Sequence, residues 1–199
     1  MRSIVMFNRV SADGKFAVED GNLDWVVPEP AIDKLGNEGM SQTDTVFFGR
    51  RTYEMFASFW PHVLDQGPTA PNPHAPGERS TEMRDLAVWM NQVKKVVFSR
   101  SLKHVSWNNS ELLTEFSVKR VQAIKEEPGK SIIIFGSGSI VSLLTRHRLI
   151  DEYMFAVSPL FLAKGRPLLT DLDSTINLDL IESKSFASGT LLLRYARKG

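Results

Sequence analysis

Three short apolar runs in this sequence each end in a turn whose residues could bind an anion. The runs 46–48, 96–98 and 132–135 lead into Gly49-Arg50-Arg51-Thr52, Ser99-Arg100-Ser101 and Gly136-Ser137-Gly138-Ser139. Backbone amides at helix N-termini, hydroxyls and guanidinium groups are the donors that proteins use to bind phosphate. Because the carboxyl ends of neighbouring parallel strands meet at one edge of a sheet, we expect the three turns to form one anion site.

The glycine- and serine-containing turn at 136–139 follows an apolar run and precedes a helical pattern. In that context glycines let the backbone approach a pyrophosphate. A complete Rossmann fingerprint would need a third glycine, where Val141 stands, and it would open the first β-α-β unit. The pattern therefore disfavours a Rossmann fold, and the spacing alone leaves a ligand-binding loop and an ordinary tight turn equally open.

Arginines accompany two of the three turns. Arg50 and Arg51 stand at the start of a predicted helix, and Arg100 follows another predicted strand. Arginine is the side chain best shaped to bind two phosphate oxygens at once, although arginines after a strand are often ordinary surface residues. Together they could hold the additional phosphate that distinguishes NADP from NAD.

Several classes of protein are not indicated by the composition. The sequence has no cysteine, its four histidines lack metal-binding spacing, and neither a Walker loop nor a Gly-x-Ser-x-Gly motif is present, so no metal site is expected. A formal net charge of +1 without long single-sign blocks argues against nucleic-acid binding. No apolar run is long enough to span a bilayer and no signal peptide is recognisable, so we expect a cytoplasmic protein without membrane contact.

The predicted elements favour an α/β protein with one domain over residues 1–199. In the second half, predicted strands alternate with helices at 116–125 and 140–146, which indicates a mainly parallel sheet covered on both faces. The predicted strands are 2–7, 45–48, 95–98, 112–113, 131–135 and 152–157. Two further runs, 176–183 and 191–195, are separated by a glycine-containing turn and predict an antiparallel hairpin at one edge.

The segment 61–79 is rich in proline and glycine and predicts a long loop. Loops of that length serve as lids, binding loops or oligomer contacts, and a mobile surface insertion is the alternative. A helix running toward Val93 is predicted after it, and an earlier one begins near Pro30.

The order of several motifs along the chain resembles the dihydrofolate-reductase-like family. The resemblance is closest to the branch that contains the C-terminal reductase domain of the bifunctional riboflavin-biosynthesis deaminase-reductase. The motifs are 11–15 (Ser-Ala-Asp-Gly-Lys), 46–54, 59–61 (Phe-Trp-Pro), 136–139, 151–153 and 159–168. This resemblance implies a mixed, mainly parallel sheet of about eight strands flanked by helices. It also implies NADPH across the strand ends, hydride transfer to a small heterocycle or carbonyl, and a homodimer.

The resemblance also assigns roles to the three turns. Gly49, Arg50 and Thr52 would face the cofactor phosphates, Ser99 and Arg100 the adenosine end, and Gly136, Ser137, Gly138 and Ser139 the pyrophosphate. The chain departs from the family where paired glycines are replaced by Gly136-Ser137 and where a Gly-x-Gly is replaced by Ala163-Lys164-Gly165. These departures keep open a second hypothesis, a non-catalytic dimeric module that binds a nucleotide.

The substrate half of the site is less well marked. Asp33 precedes Gly49 by 16 residues (49 − 33), which resembles the placement of the acidic residue on the first long helix of dihydrofolate reductases. It is our candidate catalytic proton donor, although an aspartate near a helix start is commonly just a favourable charge. Asp13 and Trp25 are candidate substrate contacts, with a turn-forming residue and a core aromatic as the alternatives. A dihydrofolate reductase proper remains a third hypothesis.

Overall fold

The computed structural model of the protein describes residues 1–19, 21, 23–65 and 81–199. The strands are β1 (Ile4–Ser11), β2 (Lys15–Val18), β3 (Thr43–Gly49), β4 (Lys94–Phe98), β5 (Ser110–Leu113), β6 (Ser131–Phe135), β7 (Glu152–Ser158), β8 (Gly165–Pro167), β9 (Leu178–Ser185) and β10 (Leu191–Arg197). The helices are α1 (Pro30–Met40), α2 (Arg50–Asp65), α3 (Thr81–Gln92), α4 (Val118–Glu126) and α5 (Gly138–Arg146). No helix in these ranges has the length and apolar character to cross a membrane.

Eight of the strands form one sheet, in the order β5-β4-β3-β6-β1-β7-β10-β9. Neighbours from β5 to β7 pair in parallel, while β10 runs antiparallel to both β7 and β9. The remaining strands, β2 and β8, form a separate antiparallel ribbon. This architecture confirms the predicted mixed, mainly parallel α/β sheet with a C-terminal hairpin.

Helices cover the parallel part of the sheet on both faces, because its strands are apolar on both sides. On one face Val46 and Phe48 of β3 pack with residues of α2 and α3. On the other face Phe47 packs with residues of α4 and α5, including Val121 and Leu144. Successive side chains of β3 thus point to opposite faces of the sheet. The core therefore has two layers, one with α2 and α3 and one with α4 and α5.

The structure corrects the prediction for the first strand, which was expected to end at residue 7. The strand β1 continues to Ser11 because its second half pairs with β7, with Arg9 opposite Ala156 and Ser11 opposite Ser158. Backbone hydrogen bonds to β7 stabilise the extended conformation at residues 8 and 9, where the polar side chains alone do not favour a strand. As a result, Asn8 and Arg9 belong to the centre of the sheet.

The predicted loop 61–79 is wrong at its start, because α2 continues to Asp65 with Pro61 inside it. Proline in a helix interior costs roughly 3 kcal/mol. Here Val63 beyond it is only 1% exposed, and the Asn91 side chain on α3 donates to the Trp60 carbonyl at 3.1 Å. Burial and this bond hold the helix together past the proline, and the rest of the predicted loop lies outside the described residues.

A buried lysine joins β4 to the loops beside it. Lys95 is fully buried, and its Nζ donates to the carbonyls of Val93 and Asn108, both at 2.9 Å. The same nitrogen lies 4.3 Å from the ring centroid of Trp107. Burial lowers the pKa of Lys95 to about 8, because the charged form loses its hydration.

We expect this lysine to make the stability of the protein depend on alkaline pH. Below pH 8 Lys95 is charged in both states, so the cost of burying the charge is fully present. Between about pH 8 and the ordinary lysine value of 10.5 the unfolded state binds more protons than the folded state. The free energy of unfolding should therefore rise with pH in this window.

Urea unfolding of the wild type and of Lys95→Met, measured at several pH values across that window, tests this. The wild type should gain stability relative to Lys95→Met as the pH rises. Parallel pH profiles for the two proteins would contradict the assignment.

Candidate active site

A cleft of about 1360 Å³ lies at the carboxyl edge of the parallel strands. Its wall includes the residues that follow β3, β4 and β6, which are neighbours in the sheet. The nine residues that sequence analysis assigned to a cofactor all line it: Gly49, Arg50, Thr52, Ser99, Arg100, Gly136, Ser137, Gly138 and Ser139. The structure thus brings the three turns together in one cleft.

The hydroxyl of Ser137 ties two of these turns to each other. Its Oγ accepts a hydrogen bond from the Gly49 amide at 2.7 Å and donates to Thr52 Oγ1 at 2.8 Å. Ser137 is buried and adopts a left-handed conformation with φ of +61°, which costs free energy in a non-glycine residue. The two bonds to the neighbouring turn hold that strained conformation in place, so Ser137 fixes the distance between the β3 and β6 ends.

Because the Ser137 hydroxyl is engaged in this way, it does not cap the helix that follows. Ser137 is the residue before α5 and makes no side-chain bond to the amides of the first turn. Gly138 and Ser139, which start α5, line the cleft. The first amides of a helix have no intrahelical acceptor and carry partial positive charge. The α5 terminus therefore presents donors suited to a phosphate group.

Two glycines in this turn are required by local packing. Gly136 has φ of +58°, and a side chain there would lie 3.1 Å from Thr52 Oγ1. A side chain on Gly138 would lie 2.8 Å from a Phe16 ring carbon and 3.1 Å from the Leu168 carbonyl oxygen. The turn at 136–139 is thus a tight turn for packing reasons, and it also lines the cleft.

The turn after β4 is shaped by its own serine. Ser99 Oγ accepts hydrogen bonds from the amides of Ser101 and Leu102, at 3.2 and 3.0 Å. The hydroxyl therefore closes the turn, as serine side chains do at such positions. Arg100, held at the tip of this turn, is exposed and has no ion pair with any described residue.

The charge of the cleft is strongly positive. Among the described residues, its wall contains five arginines, Arg9, Arg50, Arg51, Arg100 and Arg166, and a single carboxylate, Glu54. Glu54 is already paired with Arg50, whose Nη1 lies 3.1 and 3.3 Å from the two carboxylate oxygens. Four guanidinium groups therefore have no carboxylate partner in the cleft wall. Such a surface attracts an anion with several negative groups.

The end of the cleft beside β1 is aromatic, and the sequence patterns did not indicate it. Phe7 of β1 and Phe135 of β6 lie edge to face with centroids 6.2 Å apart, and Phe56 of α2 lies 6.1 Å from Phe135. Leu23 and Val26 also line the cleft. These rings come from distant parts of the sequence, so no local pattern could have signalled them. The apolar surface suits a planar ring.

Asp33 lies beside this end but outside the cleft lining. It stands in the first turn of α1, and its Oδ1 accepts a bond from Arg9 Nη2 at 2.5 Å. The Asp33 side chain is 61% exposed. Its connection to the cleft therefore runs through Arg9, and its role as a proton donor stays a prediction.

Asp13 also lies outside the cleft lining, in the turn between β1 and β2. Its Oδ1 accepts from the Ser11 hydroxyl at 2.5 Å and from the Leu162 amide at 3.0 Å. These bonds, with the nearby Lys15 ammonium at 3.0 Å, hold the pKa of Asp13 well below its usual range. In the structure Asp13 fastens this turn to the chain before β8, and its role as a substrate contact stays a prediction.

Trp25, the other candidate substrate contact, lies between the cleft-lining Leu23 and Val26 but does not itself line the cleft. Its indole Nε1 is buried and has no hydrogen-bond partner among the described residues.

Removal of the Ser137 hydroxyl should destabilise the protein. Ser137→Ala leaves the buried Gly49 amide without its acceptor, which costs about 1–3 kcal/mol. Ser139→Ala, two residues away and exposed, is the matched control and should change stability by less than about 0.5 kcal/mol. Chemical denaturation of both variants tests this, and equal stabilities would show that the bond between the turns is not important.

Comparisons with known proteins agree with this architecture. The RibD C-terminal domain family model matches residues 2–192. The uncharacterized protein YwjB of Bacillus subtilis (strain 168) is 30% identical over 197 residues, which cover 98% of each chain.

Two solved structures share the fold. A putative riboflavin biosynthesis protein from Shewanella sp. PV-4 aligns with a TM-score of 0.72 and 21% identity, over 99% of both chains. A dihydrofolate reductase from Enterococcus faecalis complexed with NADP(H) and RAB-propyl aligns with a TM-score of 0.62 and 13% identity, over 99% of this chain and 97% of its own. The fold is dihydrofolate-reductase-like, and this chain belongs to the RibD C-terminal domain family.

Proposed function

We propose that this protein is an NADPH-dependent reductase that transfers hydride to a small heterocyclic or carbonyl substrate. The observation that carries the proposal is the cleft at the strand ends, where three turns converge and the described part of the wall has five arginines and one carboxylate. Its volume of about 1360 Å³ exceeds the roughly 300–1,000 Å³ usual for one small ligand, and accommodates a dinucleotide beside a second molecule. Membership of the RibD C-terminal domain family supports a reductase.

The residues of the cleft fit a dinucleotide phosphate. The uncapped amides at the start of α5 would bind the pyrophosphate, and Arg50 with the turn at Thr52 would lie beside the cofactor phosphates. Arg100 and Ser99 would lie at the adenosine end, where Arg100 together with Arg50 would bind the additional phosphate of NADPH. Bound NADPH would supply the hydride. The chain's own task is to orient the cofactor and to exclude water from the reacting end.

The aromatic end would hold the substrate. Phe7, Phe56 and Phe135 offer flat apolar surfaces against which a heterocycle could stack, and they keep water away from the reacting atoms. Asp33 is the proposed proton donor, exposed on α1 and linked to the cleft wall by Arg9. We also propose that the protein acts in the cytoplasm on a small molecule, without nucleic acid or membrane partners.

A second function is favoured by one observation: the only carboxylate in the described cleft wall is paired with an arginine. A cleft without a free acid suits a nucleotide-binding module that does not catalyse a reaction. The edge strand β9 would provide its dimer contact, since seven of its eight residues are exposed, Leu180 and Ile181 among them. Turnover of NADPH with a panel of pteridines, pyrimidines and aldehydes would exclude this function.

Titration with NADPH and NADH, followed by fluorescence, tests the proposed cofactor. The wild type should bind NADPH more tightly than NADH, because the additional phosphate would meet the guanidinium groups of Arg50 and Arg100. Absence of binding of either cofactor at millimolar concentration would overturn the proposed function.

Variants of the Arg50–Glu54 ion pair test whether Arg50 binds the additional phosphate of NADPH. Arg50→Ala should weaken NADPH binding by about tenfold and NADH binding by less, since a hydrogen bond to a charged group is lost. Glu54→Gln removes the competing carboxylate and leaves Arg50 in place, so NADPH should bind at least as tightly as in the wild type. Equal losses for both cofactors in Arg50→Ala would reject the assignment of Arg50 to the additional phosphate.

A further inference from the structure

Arg9 is the single charged side chain that the described part of the sheet places at the aromatic end of the cleft. It projects from the same face of β1 as Phe7, and both line the cleft. Its Nη2 is bonded to Asp33, whereas its Nη1 is buried and has no hydrogen-bond partner among the described residues. A buried guanidinium nitrogen without an acceptor costs free energy that a ligand oxygen would recover.

The described residues contain few other unpartnered buried donors. Only three buried side-chain polar atoms of the described residues lack a partner: Arg9 Nη1, Trp25 Nε1 and Ser110 Oγ. Trp25 belongs to the segment whose Leu23 and Val26 line the cleft. Both nitrogens can only donate. Among the described residues, Arg9 Nη1 is therefore the one such donor on a residue that lines the cleft.

The carboxylates near Arg9 do not provide an acceptor for its Nη1. Asp33 takes one guanidinium nitrogen only, and with a side chain 61% exposed it is free to move into solvent. Glu29, at the start of α1, feels the charge of Arg9. However, its oxygens accept from the Ser188 hydroxyl at 2.7 Å and from the Ala31 amide at 3.3 Å. Glu29 is thus occupied by donors other than Arg9, and Asp33 faces solvent.

We propose that the substrate of this cleft carries an anionic oxygen group, a carboxylate or a comparable oxyanion, next to a planar unsaturated ring. The ring packs against Phe7, Phe56 and Phe135, and the anionic group accepts a charged hydrogen bond from the unpartnered Nη1 of Arg9. Asp33 keeps its bond to Arg9 Nη2, and the anionic group takes Nη1. The inference rests on the proposed function, because it names the substrate class of the same site.

Naphthoate and naphthamide form a matched pair of probes, since they share a flat ring system and differ in the anionic group. Isothermal titration with each, in the presence of saturating NADP⁺, keeps the probes away from the cofactor arginines. The wild type should bind naphthoate tighter than naphthamide by about tenfold or more, as expected for a charged hydrogen bond.

Variants of the ion pair then decide whether Arg9 is responsible. Arg9→Gln should abolish the preference for naphthoate, and Arg9→Lys, which keeps the charge without the paired donors, should retain part of it. Asp33→Asn should strengthen naphthoate binding, because the competing carboxylate is gone. Arg146→Gln is the charge-matched control on α5, away from the cleft, and should keep the wild-type preference. Thermal unfolding establishes that each variant is folded.

The outcomes separate this inference from the proposed function. If NADP⁺ binds but the wild type shows no preference for naphthoate, or Arg9→Gln keeps it, the substrate class is wrong and the reductase proposal stands. Failure of naphthoate to bind at millimolar concentration also overturns the substrate class. If NADP⁺ itself does not bind, the reductase proposal fails, and the same probes titrated alone still decide the role of Arg9.

Discussion

The parallel pairing of β3 with β4 on one side and β6 on the other is the constraint from which the cleft follows. The register sets Gly49 opposite Phe98 and Phe47 opposite Ile134. Three strands that run in the same direction must end at the same edge, so their following turns become neighbours although 87 residues separate Gly49 from Gly136 along the chain (136 − 49). The Ser137 hydroxyl then fixes the distance between the turns after β3 and β6, since it bonds to the Gly49 amide and to the Thr52 side chain.

The two ends of the cleft differ in the groups that they offer a ligand. The turns offer backbone amides and arginines, which would select for negative charge. The aromatic end offers three phenylalanines and, in our proposal, Arg9 as the polar contact. In the proposed reductase the turns would bind the cofactor, and the aromatic end, whose residues come from separate elements, would select the substrate.

The meeting of the three turns in one cleft could be predicted because their residues follow apolar strands in short local motifs. The polar part of β1 was missed, since Asn8 and Arg9 look like the end of a strand until the pairing with β7 is known. Likewise, Pro61 signals a helix end, and only the packing of α2 against α3 overrides it. The ribbon of β2 and β8 was also missed, because strands of four and three residues show too little alternation to be recognised. In each case the missing information was a contact between residues distant in sequence.

The central position of β1 has a consequence for how the chain folds. This strand is the first in the sequence, yet its partners are β6 and β7, so it pairs with segments that lie at 132–135 and 152–158. During synthesis the apolar residues Ile4 and Met6 emerge from the ribosome long before either partner exists. Parallel pairing across such separations requires the closure of long loops, which slows folding. The strand β1 therefore stays without its partners until β6 and β7 have been synthesised. During that time its exposed backbone is open to pairing with other exposed strands, which leads to aggregation.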